Sequence, residues 1–225
     1  TDHLLLTSDK KITNEVVKAF NFFSANYRKD KFYHLLVSPF GLRNKLVSLI
    51  DNEINNAKAG KEAWIRIKIN NLTDGEIISK LYRAGDAGVH VSLIVRGMFS
   101  MAPGAKGVSD NIRAIGIVDR FLEHSRFMIF CNGGEELVYI TSADIMPRNL
   151  DHRIEVTCPV WDPAIKKEIS DVFSIQWNDN VKARILDAEL SNTMVAGGGI
   201  ALRSQTEIHR YYSALSAPAG EPSQK

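Results

Sequence analysis

Apolar side chains recur along the first half of the chain with two different periods. Residues 64–69 alternate apolar and basic side chains, which is typical of a half-buried strand. A helical stripe precedes them, formed by Leu42, Leu46, Leu49, Ile50 and Ile54. From about residue 33 to 96 the pattern predicts three strands, at 35–37, 64–69 and 89–95, that alternate with two helices. This order predicts an α/β fold in which a mixed, largely parallel sheet is flanked by helices.

The second half of the chain predicts a hairpin followed by helices. Strands are expected at 127–130 and 137–140, joined by a turn at Asn132-Gly133-Gly134. Ser38-Pro39 and the polar run 109–113 are both interpreted as helix starts. The remaining expected elements are a strand at 154–156, helices at 162–177 and 202–215, and a disordered tail at 216–225 that is rich in Ala, Pro, Gly and Ser.

Composition narrows the classes of function. The 225 residues are 44% hydrophobic with a formal net charge of +2, so an anion must be bound by a local cluster of cations rather than by bulk charge. Cys131 and Cys158 lie in apolar runs outside metal-ligand spacing, which favours buried, reduced thiols. We expect no membrane span, because the apolar runs have strand length, and we recognise no signal peptide. The start at Thr1 instead of Met indicates a fragment of a longer protein.

The strongest candidate for chemistry is the run Glu123-His124-Ser125-Arg126, just before a predicted strand. Positions i and i+2 of a strand share a face, so His124 and Arg126 are expected to point the same way. An imidazole can attack or move a proton, and a guanidinium can hold phosphate oxygens, which together indicate phosphoryl transfer. The competing interpretation is a surface histidine held by ordinary hydrogen bonds.

Other candidate residues lie where predicted elements begin or end. Ligands of parallel sheets gather beyond the carboxyl ends of the strands, so Asn70 and Arg96 are expected at the functional edge. Arg113 is expected one turn into a helix, where it could meet an anion at the helix N-terminus. Lys68 and Arg148 are further candidates, although Lys68 also suits the exposed face of an edge strand and Arg148 a surface ion-pair cluster.

These residues together resemble a known family. His124-x-Arg126, followed downstream by Ser142 and Asp144, resembles a half-site of the phospholipase D type, which usually reads His-x-Lys and then Gly-Ser-x-Asn. Arg126 takes the place of the lysine and Asp144 that of the asparagine, as in the bacterial polyphosphate kinases of the phospholipase-D-like type. Further stretches that resemble this family are His34–Pro39, Lys68–Leu72, Leu93–Met98, Ser109–Ala114, Val118–His124, Ser142–Asn149, Val181–Arg184 and Glu189–Asn192.

The resemblance implies a place within a larger protein and an activity. Residues 33–215 are expected to form a C-terminal phospholipase-D-like domain, and residues 1–32 the end of the preceding domain. The implied reaction is the reversible transfer of the terminal phosphoryl group of ATP to inorganic polyphosphate through a phosphohistidine. The nucleophilic histidine is expected upstream, outside this chain.

The resemblance also implies roles for individual residues. Arg96 and His124 are expected to line the ATP pocket, with His124 as the catalytic residue that donates a proton or stabilises charge. The expected phosphate-binding and polyphosphate-binding residues are Arg126, Arg113, Lys68, Asn70 and Arg148, and the expected supporting residues are Ser142 and Asp144. Mg²⁺ is the expected cofactor, with its ligands mostly outside this chain and no metal ligand assigned within it.

Two other interpretations stay open. A phospholipase-D-like phosphodiesterase or nuclease would use the same fold with water as the acceptor, and the departures at Arg126 and Asp144 argue against it. The isolated chain could instead be a non-catalytic module that binds nucleotide or polyanion, because half a site should not turn over. We expect ATP, ADP and polyphosphate as partners, no nucleic acid, no transmembrane segment, and a cytoplasmic protein that is homo-oligomeric at full length. Peripheral association with the inner membrane is left open.

Overall fold

The structure is a computed structural model, and it describes residues 1–24, 30–108, 110–197 and 199–216. Within these residues the helices are α1 (Lys10–Ser24), α2 (Leu42–Lys58), α3 (Gly75–Asp86), α4 (Pro147–Asp151), α5 (Pro163–Trp177) and α6 (Ser204–Ser216). The strands are β1 (Leu36–Ser38), β2 (Trp64–Ile69), β3 (His90–Val95), β4 (Ile112–Ile117), β5 (Phe127–Phe130), β6 (Leu137–Thr141), β7 (Glu155–Val160) and β8 (Ala183–Ile185).

All of these strands belong to one mixed sheet with the order β1-β7-β6-β5-β2-β3-β4-β8. The expectation of an α/β fold with a mixed sheet flanked by helices is confirmed, but the expectation that the sheet is largely parallel is wrong. Only the pairs β2–β3 and β3–β4 are parallel, and the other pairings are antiparallel. The reason lies in the connections, since the short turn between β5 and β6 and the short α4 segment before β7 reverse the chain instead of crossing over.

Two predicted helix starts are wrong. The run 109–113 does not start a helix, because β4 begins at Ile112, with Ile112 and Ala114 buried and Arg113 exposed. Its alternation is the period of a strand. Ser109 itself lies outside the described residues. In the second case, α2 begins at Leu42, while Ser38 ends β1 and its hydroxyl donates to the Asn149 carbonyl oxygen at 2.5 Å.

Helices cover both faces of the sheet. α2 and α3 pack on one face, where Leu46, Ile67 and Leu81 belong to one buried cluster. α5 and α6 cover the other face, where the rings of Phe127 and Phe173 meet edge-on at 6.2 Å. Because both faces are covered, all four residues of β5 are apolar and buried, which is why this strand shows no alternation.

The ends of the chain bear on the predicted domain limits. The buried carboxylate of Glu15, on α1, accepts hydrogen bonds from the backbone of Tyr33, His34 and Leu35, which ties α1 to the start of β1. The domain limits at 32 and 215 stay a prediction. The predicted tail falls on residues outside the described part from 217 onward, while Ser216 is the last residue of α6. In the described part of the chain, every helix is too short or too polar to cross a membrane.

Candidate active site

The segment 118–126 brings the predicted site residues to one edge of the sheet. It leaves the carboxyl end of β4 and enters β5, which runs antiparallel to β2 and pairs Phe127 with Lys68. The segment therefore crosses the carboxyl ends of β2 and β3, where Asn70 and Arg96 follow directly. β6 also ends at this edge, since the Thr141 amide donates to the Arg126 carbonyl oxygen. The predicted meeting of Asn70 and Arg96 at one edge is confirmed.

His124 is held by hydrogen bonds at both ring nitrogens. Nδ1 lies 2.8 Å from the Asp2 carboxylate, and Nε2 lies 3.2 Å from Arg126 Nη2. A guanidinium can only donate, so Nε2 accepts, and the proton of the neutral ring is on Nδ1, where it donates to Asp2. The imidazole and the guanidinium do share a face, as the i and i+2 spacing predicts.

Asp2 is the residue that orients His124, and it stands at the start of the chain. Its neighbour His3 is packed with its ring edge-on to Phe127 at 5.5 Å, which fixes the segment beneath the site. Partial burial raises the pKa of the Asp2 carboxyl, but the hydrogen bonds from His124 and from the His3 amide outweigh it, so this pKa lies below its ordinary value. A carboxylate that stays ionised can stabilise positive charge on His124.

Asp144 anchors Arg126 and the end of β2 through four hydrogen bonds. Its buried carboxylate accepts from the amides of Asn70 and Asn71 at 3.1 Å each, from Asn71 Nδ2 at 2.7 Å and from Arg126 Nε at 3.1 Å. These contacts join the end of β2, the loop after β6 and the start of β5. The side chain therefore holds Arg126 in place, and its supporting role in the reaction stays a prediction.

Arg96 is oriented by Asn70, the residue that follows the neighbouring strand. Arg96 Nε donates to Asn70 Oδ1 at 2.8 Å, and the Asn70 side chain is buried, with Nδ2 lacking a partner among the described residues. The next residue must be small, because a Cβ on Gly97 would lie 2.6 Å from Asn71 Oδ1 and 2.8 Å from the Asn70 carbonyl oxygen. Gly97 thus permits the two strand ends to approach closely.

Lys68 supports the site from below instead of facing solvent. The residue is 2% exposed and β2 is a central strand, so the alternative of an edge-strand lysine is wrong. Nζ donates to the carbonyl and hydroxyl oxygens of Ser125 at 2.8 and 3.0 Å and lies 3.4 Å from Glu123 Oε2. Burial lowers the pKa of Lys68 to about 8, against the opposing charge of Glu123.

Glu123 links this pair to the helices behind it. Gln176 on α5 and Gln205 on α6 each donate to its carboxylate at 2.7 Å. Glu123 and Ser125, the neighbours of His124 in the chain, are therefore both held by hydrogen bonds to interior side chains. The expected contact of Lys68 with phosphate gives way to a positioning role, since its ammonium group is surrounded by protein.

Three other predicted residues lie apart from this cluster. The Ser142 hydroxyl donates to Glu155 Oε2 at 2.5 Å and fastens the end of β6 to β7. Arg148 is exposed on α4, without a side-chain partner among the described residues. Arg113 pairs with Ser92 in the register of β3 and β4, four residues before the level of Arg96, which is about 13 Å along the strand. The expected helix, at whose N-terminus Arg113 could have met an anion, is replaced here by the strand β4.

The described residues do not fit a magnesium site of the usual kind. They contain no group of three or more His, Cys, Asp or Glu side chains placed to hold a metal ion. The Asp144 carboxylate is already occupied by four donors. The expected Mg²⁺ therefore stays a prediction about parts outside the described chain.

Known proteins with similar sequences indicate the family to which this chain belongs. The family model described as polyphosphate kinase C-terminal domain 2 matches residues 35–205. The chain belongs to the polyphosphate kinase family. The polyphosphate kinase of Vibrio parahaemolyticus is 53% identical over 212 residues, which are 94% of this chain and 30% of that protein. That of Escherichia coli K12 is 48% identical over 219 residues, which are 97% of this chain and 32% of that protein.

Solved structures extend the comparison to the fold. The crystal structure of polyphosphate kinase from Porphyromonas gingivalis matches 93% of this domain and 32% of that chain, with a TM-score of 0.89 and 40% identity. Nuc from Salmonella typhimurium, a phospholipase D family member, matches 68% of this domain with a TM-score of 0.51 and 17% identity, which supports the fold alone. The resemblance stated from the sequence is confirmed, and the chain spans about a third of the length of these polyphosphate kinases.

Several residues of the site were missed from the sequence. Asp2 is separated from His124 by 122 positions, and no local pattern indicates that they meet. Gln176 and Gln205 lie on helices that were predicted from their apolar positions, and this pattern assigns no role to a polar side chain. Gly97 carried a usable signal, since a glycine directly after a strand-end arginine marks a close backbone approach.

Proposed function

We propose that this domain supplies half of the active site of an enzyme that reversibly transfers the terminal phosphoryl group of ATP to inorganic polyphosphate. A histidine upstream of this chain would form the phosphohistidine. The observation that carries the proposal is His124, whose Nε2 faces Arg126 while its Nδ1 is held by Asp2. The names of the relatives support it, since they are polyphosphate kinases at about half identity.

His124 is suited to move a proton at Nε2. In the neutral ring, the Asp2 carboxylate fixes the tautomer and leaves the Nε2 lone pair directed at Arg126. When Nε2 takes a proton from solvent, its hydrogen bond from Arg126 opens and Asp2 stabilises the imidazolium. The imidazolium can then donate this proton to the leaving oxygen and return to the neutral ring. His124 acts in this proposal as the proton donor and not as the nucleophile.

The arginines provide the charge that phosphoryl transfer requires. Arg126 and Arg96 each have a fixed Nε and further N–H groups without described partners. Fixed cations of this kind stabilise charge that develops on phosphate oxygens, because they need no reorganisation during the reaction. We assign ATP to Arg96 and His124, and the transferred phosphoryl group to Arg126.

The remaining expectations are proposals that rest on the family resemblance. They are ADP and polyphosphate as the other reactants, Mg²⁺ as the cofactor, a homo-oligomeric full-length protein and a cytoplasmic location. A diesterase or nuclease activity has no particular observation in its favour. The isolated chain is proposed to bind without turnover, because the proposed nucleophile lies outside it.

The test is a calorimetric titration of this chain with ATP and magnesium, beside Arg96→Ala and Arg83→Ala. Arg83 is an exposed arginine in the last turn of α3, which leads to the opposite edge of the sheet, so it controls for the loss of one charge. We expect binding by the wild type and by Arg83→Ala, and loss of binding in Arg96→Ala.

Circular dichroism of each sample checks that it is folded. An equal loss of ATP binding in Arg96→Ala and Arg83→Ala would mean that binding depends only on the net charge of the chain. An absence of binding by the folded wild-type chain would contradict the assignment of an ATP pocket to this chain alone.

A further inference from the structure

A second group of cations lies on the same sheet edge as the candidate active site, at the carboxyl end of β4. β3 and β4 are parallel neighbours, with Arg96 directly after β3 and Arg120 three residues after β4. Neighbouring strands are about 5 Å apart, so the loop that carries Arg120 starts beside Arg96. The positive edge therefore continues beyond the residues assigned to ATP.

This group surrounds a surface cavity of about 220 Å³. The cavity is lined by Arg120, Phe121, Arg203, Gln205, Thr206 and His209. Arg120 is exposed, and its guanidinium lies over the Phe121 ring at 5.4 Å, without an ion-pair partner among the described residues. The cavity thus presents an arginine whose hydrogen-bond donors are open to a ligand.

The acidic residue that precedes Arg120 is turned inward. Asp119, with a side chain 1% exposed, accepts from Arg203 Nε at 2.8 Å and from Arg203 Nη2 at 2.5 Å, and it also accepts from the Arg120 amide at 2.7 Å. Its negative charge is therefore compensated inside the fold. Nη1 of Arg203 is left without a partner in the described part of the chain, so this arginine is oriented but not saturated.

The wall of the cavity is hydrogen-bonded to the segment that carries His124. The Gln205 side chain accepts from the Phe121 amide at 3.1 Å and donates to the Phe121 carbonyl oxygen at 2.8 Å. The side-chain amide of Gln205 also donates to Glu123 Oε1 at 2.7 Å. Phe121 and His124 are three residues apart, which is at most about 10 Å of chain. The cavity and the catalytic imidazole are thus parts of one fixed edge.

We propose that this cavity is a subsite for the stretch of an inorganic polyphosphate chain that lies beyond the phosphoryl group being transferred. The inference rests on the proposed function and deepens it. Polyphosphate carries negative charge along its whole length, so it can use cations that continue past the reacting group, whereas the short triphosphate of ATP is met by Arg96 and Arg126. Guanidinium groups suit such a ligand because they bind phosphate oxygens in a bidentate manner.

The experiment measures binding of three ligands to this chain: a long-chain polyphosphate, tripolyphosphate and ATP with magnesium. The variants are Arg120→Gln, Arg120→Lys, Arg120→Gln with His209→Gln, and Arg83→Gln as a charge-matched control at the opposite edge. Arg203 is left intact because its removal would strand the buried Asp119. Thermal unfolding confirms that each variant is folded.

We expect Arg120→Gln to weaken long-chain polyphosphate about tenfold, as for one lost charge-assisted hydrogen bond, and the double variant to weaken it further. ATP affinity should be unchanged, and Arg120→Lys should recover part of the loss. Equal weakening in Arg83→Gln, or an equal loss of ATP affinity, would overturn the subsite. If the wild type binds ATP and polyphosphate but Arg120→Gln binds both normally, the subsite is wrong while the proposed function stands. If the folded wild type binds none of the three ligands, both the subsite and the assignment of an ATP pocket to this chain alone are wrong.

Discussion

Two clusters of arginine and carboxylate in this domain differ in how completely their donors are used. Arg43 makes five hydrogen bonds, to Asp74, Glu76 and Asp151, which engage all five of its N–H groups. Arg126 makes two and Arg96 makes one to described side chains. A saturated arginine joins elements of the fold, here α2, α3 and α4, while an arginine held only at its base remains able to bind an anion.

The comparison shows that the number of arginines does not identify a phosphate site. At Arg43, the hydrogen bonds that the guanidinium donates to Asp151 and Asp74 raise its pKa above the ordinary value, so its charge is neutralised within the protein. At the site, the carboxylate of Asp144 orients Arg126 through Nε and leaves the other nitrogens directed elsewhere. Orientation without saturation is the arrangement that electrostatic stabilisation of a ligand requires.

The largest effect is expected for His124→Gln in a protein that carries this domain together with the upstream part found in its relatives. The amide can hydrogen-bond but cannot move a proton, so polyphosphate synthesis from ATP should fall about 10³-fold. The measurement is the incorporation of labelled phosphate, with ATP affinity measured in parallel. Near-normal turnover in a folded His124→Gln protein would remove His124 from the catalytic residues.

Lys68→Met should lower the free energy of unfolding by about 3 kcal/mol, because it leaves Glu123 buried without its cation. Denaturant unfolding of this chain measures the change. Adding Glu123→Gln should recover much of it, since no unpaired charge then remains. A Lys68→Met protein of normal stability that had lost phosphate binding would instead support the direct contact predicted from the sequence.

The pH dependence of the same variant provides an independent readout. Because the pKa of Lys68 lies at about 8 in the folded protein, below its ordinary value of 10.5, the unfolded chain binds more protons between these values. The contribution of Lys68 to stability therefore increases as the pH rises through this window. We expect the wild type to show this increase relative to Lys68→Met, when unfolding is measured at both ends of the window. A constant difference between the two proteins would mean that the pKa of Lys68 is not lowered.

Arg43→Ala tests the saturated cluster directly. It should lower the free energy of unfolding by about 2 kcal/mol, since it removes hydrogen bonds to the buried Asp74 and to the partly exposed Glu76 and Asp151. ATP binding by the folded Arg43→Ala protein should be unchanged. Arg96→Ala should instead lose ATP binding while its stability stays close to that of the wild type. Calorimetry and denaturant unfolding of both variants decide the matter. If Arg43→Ala weakened ATP binding as strongly as Arg96→Ala, saturation would not separate the two kinds of arginine.

The smallest effect is expected for Gly97→Ala. The new Cβ would press on Asn70 and Asn71, so we expect a loss of about 1 kcal/mol in stability and a few-fold weaker ATP binding as Arg96 shifts. Gly75→Ala is the matched control, because a Cβ there meets no atom within 4 Å. Equal results for the two variants would show that the strand ends do not need their close approach.

The sequence was sufficient for elements with a clear period and for the residues of the site that stand close together in the chain. β2 agrees with its predicted bounds of 64–69, and the i and i+2 spacing of His124 and Arg126 predicted their shared face. β4 was missed because the polar run before Ile112 looked like a helix start. This error also misplaced Arg113, since a helix and a strand direct the side chain at this position to different places.

What the sequence determined by itself is the family, the α/β class and the identity of the imidazole and arginines at the site. Local periodicity and residue type carry this information along the chain. The tertiary structure decided the antiparallel pairing of β5 with β2 and of β6 with β7, the burial of Lys68, and the meeting of Asp2 with His124. These depend on which strands become neighbours and on what covers them. Contacts across more than a hundred residues leave no trace in local spacing, because they form only when the sheet brings its strand ends to one edge.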